Sequence, residues 1–189
     1  RAVFPRSAIK IVQALPLVES GAADHFQFTA PELSLVCGSH SGAPFHVAIA
    51  DVLLKRLGLD RSVLACGAHL PVGDQEKRDL IRSGQTATRL HNNCSGKHVG
   101  MLTLALHMGA PIGEYELAHH PVQRQVRSVL EDVTQTDLTK TVAGIDGCSL
   151  PNWPIPLDNL AIAFARIVTG TGFEASRNAA FRRLADACW

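Results

Sequence analysis

What most limits the fold of this chain is a helical spacing of apolar residues that recurs along it and is cut at short intervals by proline and glycine. After Pro121, the residues Val122, Val126, Val129, Leu130 and Val133 recur at three- and four-residue steps, which places them on one face of an α-helix. Pro44 opens a second such run, Val47, Ala50, Leu54 and Leu57, with Lys55 and Arg56 in its last turn and Gly58 as its stop. Proline at the start, cations near the end and glycine just beyond it are what a helix accommodates best. Three more runs read the same way: Lys97 to His107, a helix capped by Asp158 and ended by Gly170, and a final amphipathic helix from Glu174 to Trp189. A shorter helix is expected from Ser7 to Leu15, stopping before Pro16. Extended runs are few. Leu33 to Cys37 reads as a buried strand that breaks into a Gly/Ser/His turn, and Thr141 to Ala143 as a brief one. The polar segment PVGDQEKRDLIRSGQ reads as a surface loop with a helical turn, and GIDGCSLPNWPIP is too rich in glycine and proline to be regular. With no internal repeat and no long linker, the chain reads as one domain.

Composition narrows the function classes. A hydrophobic content of 46% against 19% charged residues belongs to a packed core. A net charge of +1 favours neither nucleic acid nor an acidic membrane surface as partner. No apolar run approaches the roughly 20 residues that span a bilayer, and no signal peptide is visible. The chain opens RAVFPRSAIK without a methionine, so residues are expected to precede it. Five cysteines, an odd number and widely spaced, do not resemble a disulfide framework. They point to a reduced, cytoplasmic setting with thiols free to bind metal or react.

Three stretches carry chemistry. In RSAIK, Ser7 and Lys10 are three apart and lie within reach of each other on a helix. A serine hydroxyl becomes a nucleophile when a neutral lysine takes its proton, which requires burial or a neighbouring cation to lower the amine's pKa. The bland alternative is an exposed helix start with a capping serine. In CGSHSG, Ser39 or Ser41 is either an Oγ presented to a pocket among backbone N–H groups or the cap of an ordinary turn. In HNNCSGKHVGML, Cys94 and Lys97 are one helical turn apart, and Cys148 in the GIDGCS loop is a second soft ligand. Spacing alone favours reading Cys94 and Cys148 as buried free thiols. Of the histidines, His98 is either a neighbour to the chemistry of Cys94 or a core residue, and His119-His120 reads as the solvated start of a helix. Trp153 either lines a pocket mouth or staples its loop to the core.

Together and in this order, RSAIK, CGSHSG followed by His46, HNNCSGKHVGML and GIDGCSLP resemble the bacterial asparaginase II family of the rhizobial inducible type, from Arg6 to about the Asp158 helix. The resemblance implies a mixed α/β (α+β) architecture of the penicillin-binding-protein/serine-β-lactamase-like kind, a helical domain packed on a domain with a β-sheet. It implies hydrolysis of the side-chain amide of L-asparagine to aspartate and ammonia. Carried over by motif, Ser7 is the nucleophile with Lys10 as its base, and Ser39 is a second catalytic serine. Arg6, beside the nucleophile, and Asp146 contact substrate. Cys94, Lys97 and Cys148 hold a zinc ion, with Gly147 allowing the loop to turn tightly. Family members are longer homodimers and carry a further lysine that pairs with the second serine. Lys140 does not match it, so residues 1–189 are expected to be part of a single catalytic domain with portions absent at both ends. Two rivals stand beside this reading: a β-lactamase or penicillin-binding acylase, which lacks here its S-D-N and K-T-G elements, and a zinc- or ligand-binding fragment without activity of its own.

Overall fold

A computed structural model of the chain describes residues 1–189. Nine helices and four two-residue strands follow in the order β1 (Ala2–Val3), α1 (Lys10–Glu19), α2 (Ala22–His25), α3 (Ala30–Cys37), α4 (Pro44–Arg56), α5 (Asp74–Arg82), α6 (Ser95–His107), α7 (Pro121–Thr134), β2 (Gly144–Ile145), β3 (Pro151–Asn152), β4 (Ile155–Pro156), α8 (Leu157–Thr169) and α9 (Ala175–Ala187). The mixed helix-and-strand class is as expected, with helix dominant. The strands form two antiparallel ladders only, β1 with β4 and β2 with β3; a larger sheet of the β-lactamase-like kind is not seen. No helix is long and apolar enough to cross a membrane.

The core is built around α6, which is buried on every side from Ser95 to Ala105. A helix hydrophobic all round belongs at the centre of its neighbours, and α6 packs against α1, α2, α3, α4 and α7. Gly96 and Gly100 allow the close approach to α3. A Cβ on Gly96 would run into the Leu35 carbonyl, and one on Gly100 would sit 2.7 Å from Val36 Cγ1. Leu15, Leu33, Leu53, Leu102, Leu130 and Phe181, at most 2% exposed, join the helices into one cluster.

Several local expectations need correction, among them the extended run at Thr141 to Ala143, since the strand there is β2, Gly144–Ile145. Leu33 to Cys37 is the second half of helix α3, not a strand. A five-residue apolar run does not distinguish the two; what decides is the capping box Thr29/Glu32, in which Thr29 N–H donates to Glu32 Oε2 at 2.8 Å. The polar stretch after Gly73 is a full helix, α5, with Asp74 and Glu76 in its first turn and Arg82 in its last, the distribution its dipole favours. Helix α1 runs through Pro16 to Glu19, its packing on α6, α7 and α9 outweighing the lost hydrogen bond. Asp158 lies in the first turn of α8 and the cap position is Pro156. The solvated His119-His120 also proves to be half a cap: His120 is buried and its Nδ1 accepts Val122 N–H at 3.2 Å.

Candidate active site

The two ends of the helical core are brought together at Arg6. Its backbone is left-handed, with φ 50°, an uncommon conformation for a side-chain-bearing residue. Two contacts with the β2–β3 region fix it there. The backbone N–H donates to Asn152 Oδ1 at 3.4 Å, and Nη2 pairs with Asp146 Oδ1 at 2.9 Å. Arg6 is largely exposed while the Asp146 carboxylate is 9% exposed, so the pair forms the rim of the site. The β2–β3 turn is made by Ser149 in the left-handed region (φ 73°), not by Gly147 as expected. Ser7 follows in the 3₁₀ turn Arg6–Ile9 and is exposed.

One turn further on, Lys10 is 1% exposed. Its Nζ donates to Gly38 O at 2.5 Å, Ser39 Oγ at 2.8 Å and Asn93 O at 3.4 Å. The partner of Lys10 is therefore Ser39; Ser7 is not among its acceptors. Burial lowers the Lys10 pKa and the Lys97 charge adds to it, against the opposing charge of Cys94. Ser39 is held in place by the histidine after it. His40 accepts Gly42 N–H on Nδ1 at 3.2 Å and donates from Nε2 to Ser95 Oγ at 2.9 Å, and Ser95 in turn donates to Leu90 O at 3.0 Å. The neutral tautomer with its proton on Nε2 satisfies every atom of that chain. Burial, then the neighbouring His46 and Lys10 charges, push the His40 pKa down to about 4.

Cys94, Lys97 and Cys148 do converge. Cys94 precedes α6, and its N–H is held by Asn92 Oδ1 at 2.9 Å. The Cys94 and Cys148 thiols adjoin and share one charge. Hydrogen bonding from Cys148, aided by Lys97 and Lys10 against the effect of burial, brings Cys94 down to about 6. The same contact and burial bring Cys148 up to about 11. Of the polar side chains on α6, Ser95, His98 and Thr103 each have a hydrogen-bond partner. Lys97 is 2% exposed, and its charge lies close enough to Cys94 and Cys148 to lower both thiol pKa values. His98 is a neighbour of this chemistry, as one sequence reading held. Tyr115 OH, accepting Ala65 N–H at 2.9 Å, lies 2.6 Å from His98 Nδ1. With the Tyr115 proton directed at Nδ1, the His98 proton sits on Nε2, which has no N or O acceptor and faces the Cys148 sulfur. No three His, Cys, Asp or Glu side chains converge as a metal-binding group; two thiol sulfurs and a neighbouring amine are nevertheless donors of a kind that suits a soft divalent ion.

Arg6, Ser7, Cys94, Asp146 and Cys148 line one cavity of about 230 Å³, with His69, Asn92, Asn93 and Gly147 completing it. Ser39 opens on the other side, into a cavity of about 320 Å³ with His40 and His46. The amine of Lys10 sits between them, since its acceptors Asn93 O and Ser39 Oγ belong one to each. A larger cavity, about 590 Å³ between α4 and α5, contains none of these groups. His69, Asn92 and Asn93 were not singled out from the sequence. Asn92 donates to Cys66 O at 2.6 Å, and Asn93 N–H donates to His69 Nε2 at 3.2 Å. The Asn-Asn pair immediately before Cys94 was the available signal, because asparagine so placed fixes local backbone turns. Trp153 is 3% exposed and staples its loop to the core.

Comparison with curated proteins returns no match. The family model of L-asparaginase II matches residues 1–189, the whole of the chain described above. The chain belongs to the L-asparaginase II family and is by that membership an enzyme of L-asparagine hydrolysis.

Proposed function

We propose that this chain cleaves the side-chain amide of L-asparagine through a Ser/Lys acyl-enzyme, with Ser7, Lys10 and Ser39 as catalytic residues. The observation that carries the reading is Lys10: a buried amine of lowered pKa, bonded to one serine and three positions from another. In its neutral form it takes the proton of the attacking serine, Ser7, while the serine oxygen adds to the carboxamide carbon. Backbone N–H groups near Ser7 and the Ser39 turn face the developing oxyanion. Collapse expels the amide nitrogen, which leaves as ammonia with the proton held by Lys10. Water, deprotonated by the same amine, then cleaves the aspartyl ester and returns the proton to Ser7. Ser39, bonded to Lys10, keeps the amine aimed and relays protons to it.

Arg6 and Asp146 hold substrate in this reading. They already pair with each other, and the α-carboxylate and α-ammonium of asparagine offer each the charge it now finds in the other. Cys94, Lys97 and Cys148 would hold a zinc ion; the support is the neighbouring thiols and the buried Lys97 amine beside them. Such an ion supplies fixed positive charge at the cavity wall. The helices read as the helical domain of a β-lactamase-like architecture, and the full-length enzyme as a cytoplasmic homodimer. The test is ammonia release from L-asparagine by wild type, Ser7→Ala, Ser39→Ala and Lys10→Met. Loss of at least about 10²-fold in all three variants, with the fold retained by circular dichroism, supports the triad. A Ser7→Ala chain that turns over at the wild-type rate sinks the nucleophile assignment, and turnover of a β-lactam in place of asparagine sinks the substrate.

A further inference from the structure

The cavity shared by Ser7, Cys94 and Asp146 is also walled by His69, a half-buried residue in the loop that leads into α5. Both of its ring nitrogens face backbone. Nδ1 lies 2.6 Å from Leu70 O, and Nε2 lies 3.2 Å from the Asn93 nitrogen. A carbonyl oxygen only accepts, so the ring proton is on Nδ1 and Nε2 accepts Asn93 N–H. Asn93 Oδ1 is 3.3 Å from the same Nε2, but a bond there needs a second ring proton pointed at the Asn93 N–H. The Asn93 carbonyl faces the other way: it accepts Lys10 Nζ at 3.4 Å and the backbone N–H of His40 at 3.3 Å. Asn92 is gripped by the same loop as its neighbour, its Nδ2 donating to Cys66 O at 2.6 Å and to Gly67 O at 3.2 Å. Asn93 thus stands between a ring on the cavity wall and the amine of Lys10.

We propose that His69 is a positioning residue for Lys10, acting through the Asn93 backbone to fix the carbonyl against which the amine is aimed. The inference rests on the Ser/Lys reading of the site, in which a neutral Lys10 takes a serine proton. Of the three acceptors around Nζ, Gly38 O and Ser39 Oγ belong to the turn after α3, and Asn93 O to the segment entering α6. With two acceptors on one side and one on the other, the amine stays centred between the two serines only while Asn93 O stays in place. Freeing Asn93 N–H lets that backbone turn, and the amine then follows Gly38 and Ser39. The Asn93 carbonyl also stabilises the ammonium form of Lys10, so its withdrawal lowers the amine's pKa further. His69 itself moves no proton, because both of its nitrogens are committed to backbone groups.

Two amide variants separate the ring's two contacts. His69→Gln carries its Oε1 about as far out as Nε2 and can still accept Asn93 N–H. His69→Asn ends at the distance of Nδ1, so it keeps a donor for Leu70 O and leaves Asn93 N–H unheld. The experiment is the pH dependence of ammonia release from L-asparagine by wild type, both His69 variants and Lys10→Met. His69→Asn should lose about tenfold or more in kcat, with KM within about twofold of wild type, and the acid limb of its kcat/KM profile should move to lower pH. His69→Gln should recover kcat to within about threefold of wild type, with the limb returned. The charges of Cys94, Lys97 and Cys148 around Lys10 are common to wild type and both His69 variants. The limb compares activities within one chain, so a partly unfolded fraction does not move it. Wild-type kcat in His69→Asn, a loss with the limb unmoved, or equal losses in the two amide variants overturns the proposal. Turnover retained in Lys10→Met, or absent from wild type, sinks the Ser/Lys reading itself, whereas an inactive Lys10→Met beside an unaffected His69→Asn sinks only the role of His69.

Discussion

Lowering the pH from 7 to 4.5 should destabilise the chain in part through His40, by an amount that can be worked out beforehand. His40 is neutral and 5% exposed, with Nδ1 committed as an acceptor to Gly42 N–H and Nε2–H as a donor to Ser95. A second proton would have to go on Nδ1, facing another donor. In the unfolded chain the ring titrates at its ordinary 6.5, in the folded one at about 4. Between those values the unfolded state binds more protons, so stability rises with pH through the window and is lost as pH falls. Integrated from pH 7 to 4.5, the difference comes to roughly 2–3 kcal/mol. Urea unfolding of wild type and His40→Asn at both pH values measures it. Asparagine can accept from Gly42 N–H but gives up the donation to Ser95, so the variant should be less stable at pH 7 by about 1 kcal/mol, with the gap closing or reversing at pH 4.5. His98, fully buried and bonded to Tyr115 rather than to His40, is common to both proteins and cancels in the difference. Parallel losses in the two chains would refute the argument, because His40 would then contribute nothing to the acid sensitivity.

Amidase activity should rise with pH through the lowered pKa of Lys10 and level off below 10.5, the ordinary lysine value, because the base must be neutral; a kcat/KM profile checks this, and Lys10→Arg, which stays protonated, should lose about 10²-fold or more. Glu32→Gln should lower the melting temperature by roughly 4–8 °C. Glu32 is 6% exposed and bonded to both Arg56 nitrogens; burial pushes its pKa up, but Arg56 and Thr29 N–H hold it below 4.5. The gap from wild type should therefore shrink as pH falls below that value. Gly96→Ala drives a methyl group against the Leu35 backbone and should cost about 1–3 kcal/mol in denaturant unfolding. Cys94→Ser should lower bound zinc, measured by elemental analysis after dialysis, well below that of wild type; equal zinc in the two chains would sink the ligand assignment.

Where the sequence carried a long periodic signal, the structure followed it: α4 begins at Pro44 and α7 at Pro121, each where proline suits the first turn. Where a segment was short, periodicity failed and local chemistry decided. Leu33 to Cys37 is apolar enough for either state, and the Thr29/Glu32 cap upstream selects helix. Pro16 shows the reverse case, a strong local stop overridden by tertiary packing. Cys94 and Cys148, far apart in sequence and paired by motif order alone, lie on one cavity in the structure. The S-x-x-K spacing pointed to a Ser7–Lys10 hydrogen bond that Lys10 does not make. Spacing reports which residues share a helix face, and Lys10 turns its amine toward Gly38 and Asn93 because a buried cation seeks carbonyl oxygens, which no side-chain pattern records.

The placement of Ser7 also sets an order of events in folding. Arg6 and Asn152 are 146 positions apart, and β1 finds its only ladder partner in β4. Closing a loop of that length costs about 4 kcal/mol in chain entropy before any contact is made. Synthesis begins at the amino end, so the Ser7 segment emerges early and waits, unpaired, until residues past Pro156 have followed. Helices α1, α3 and α6 can dock on one another in the meantime, burying Lys10 before Ser7 is seated. In a refolding experiment, helical signal and core fluorescence should therefore recover ahead of catalytic competence, which arrives only when the two distant segments meet.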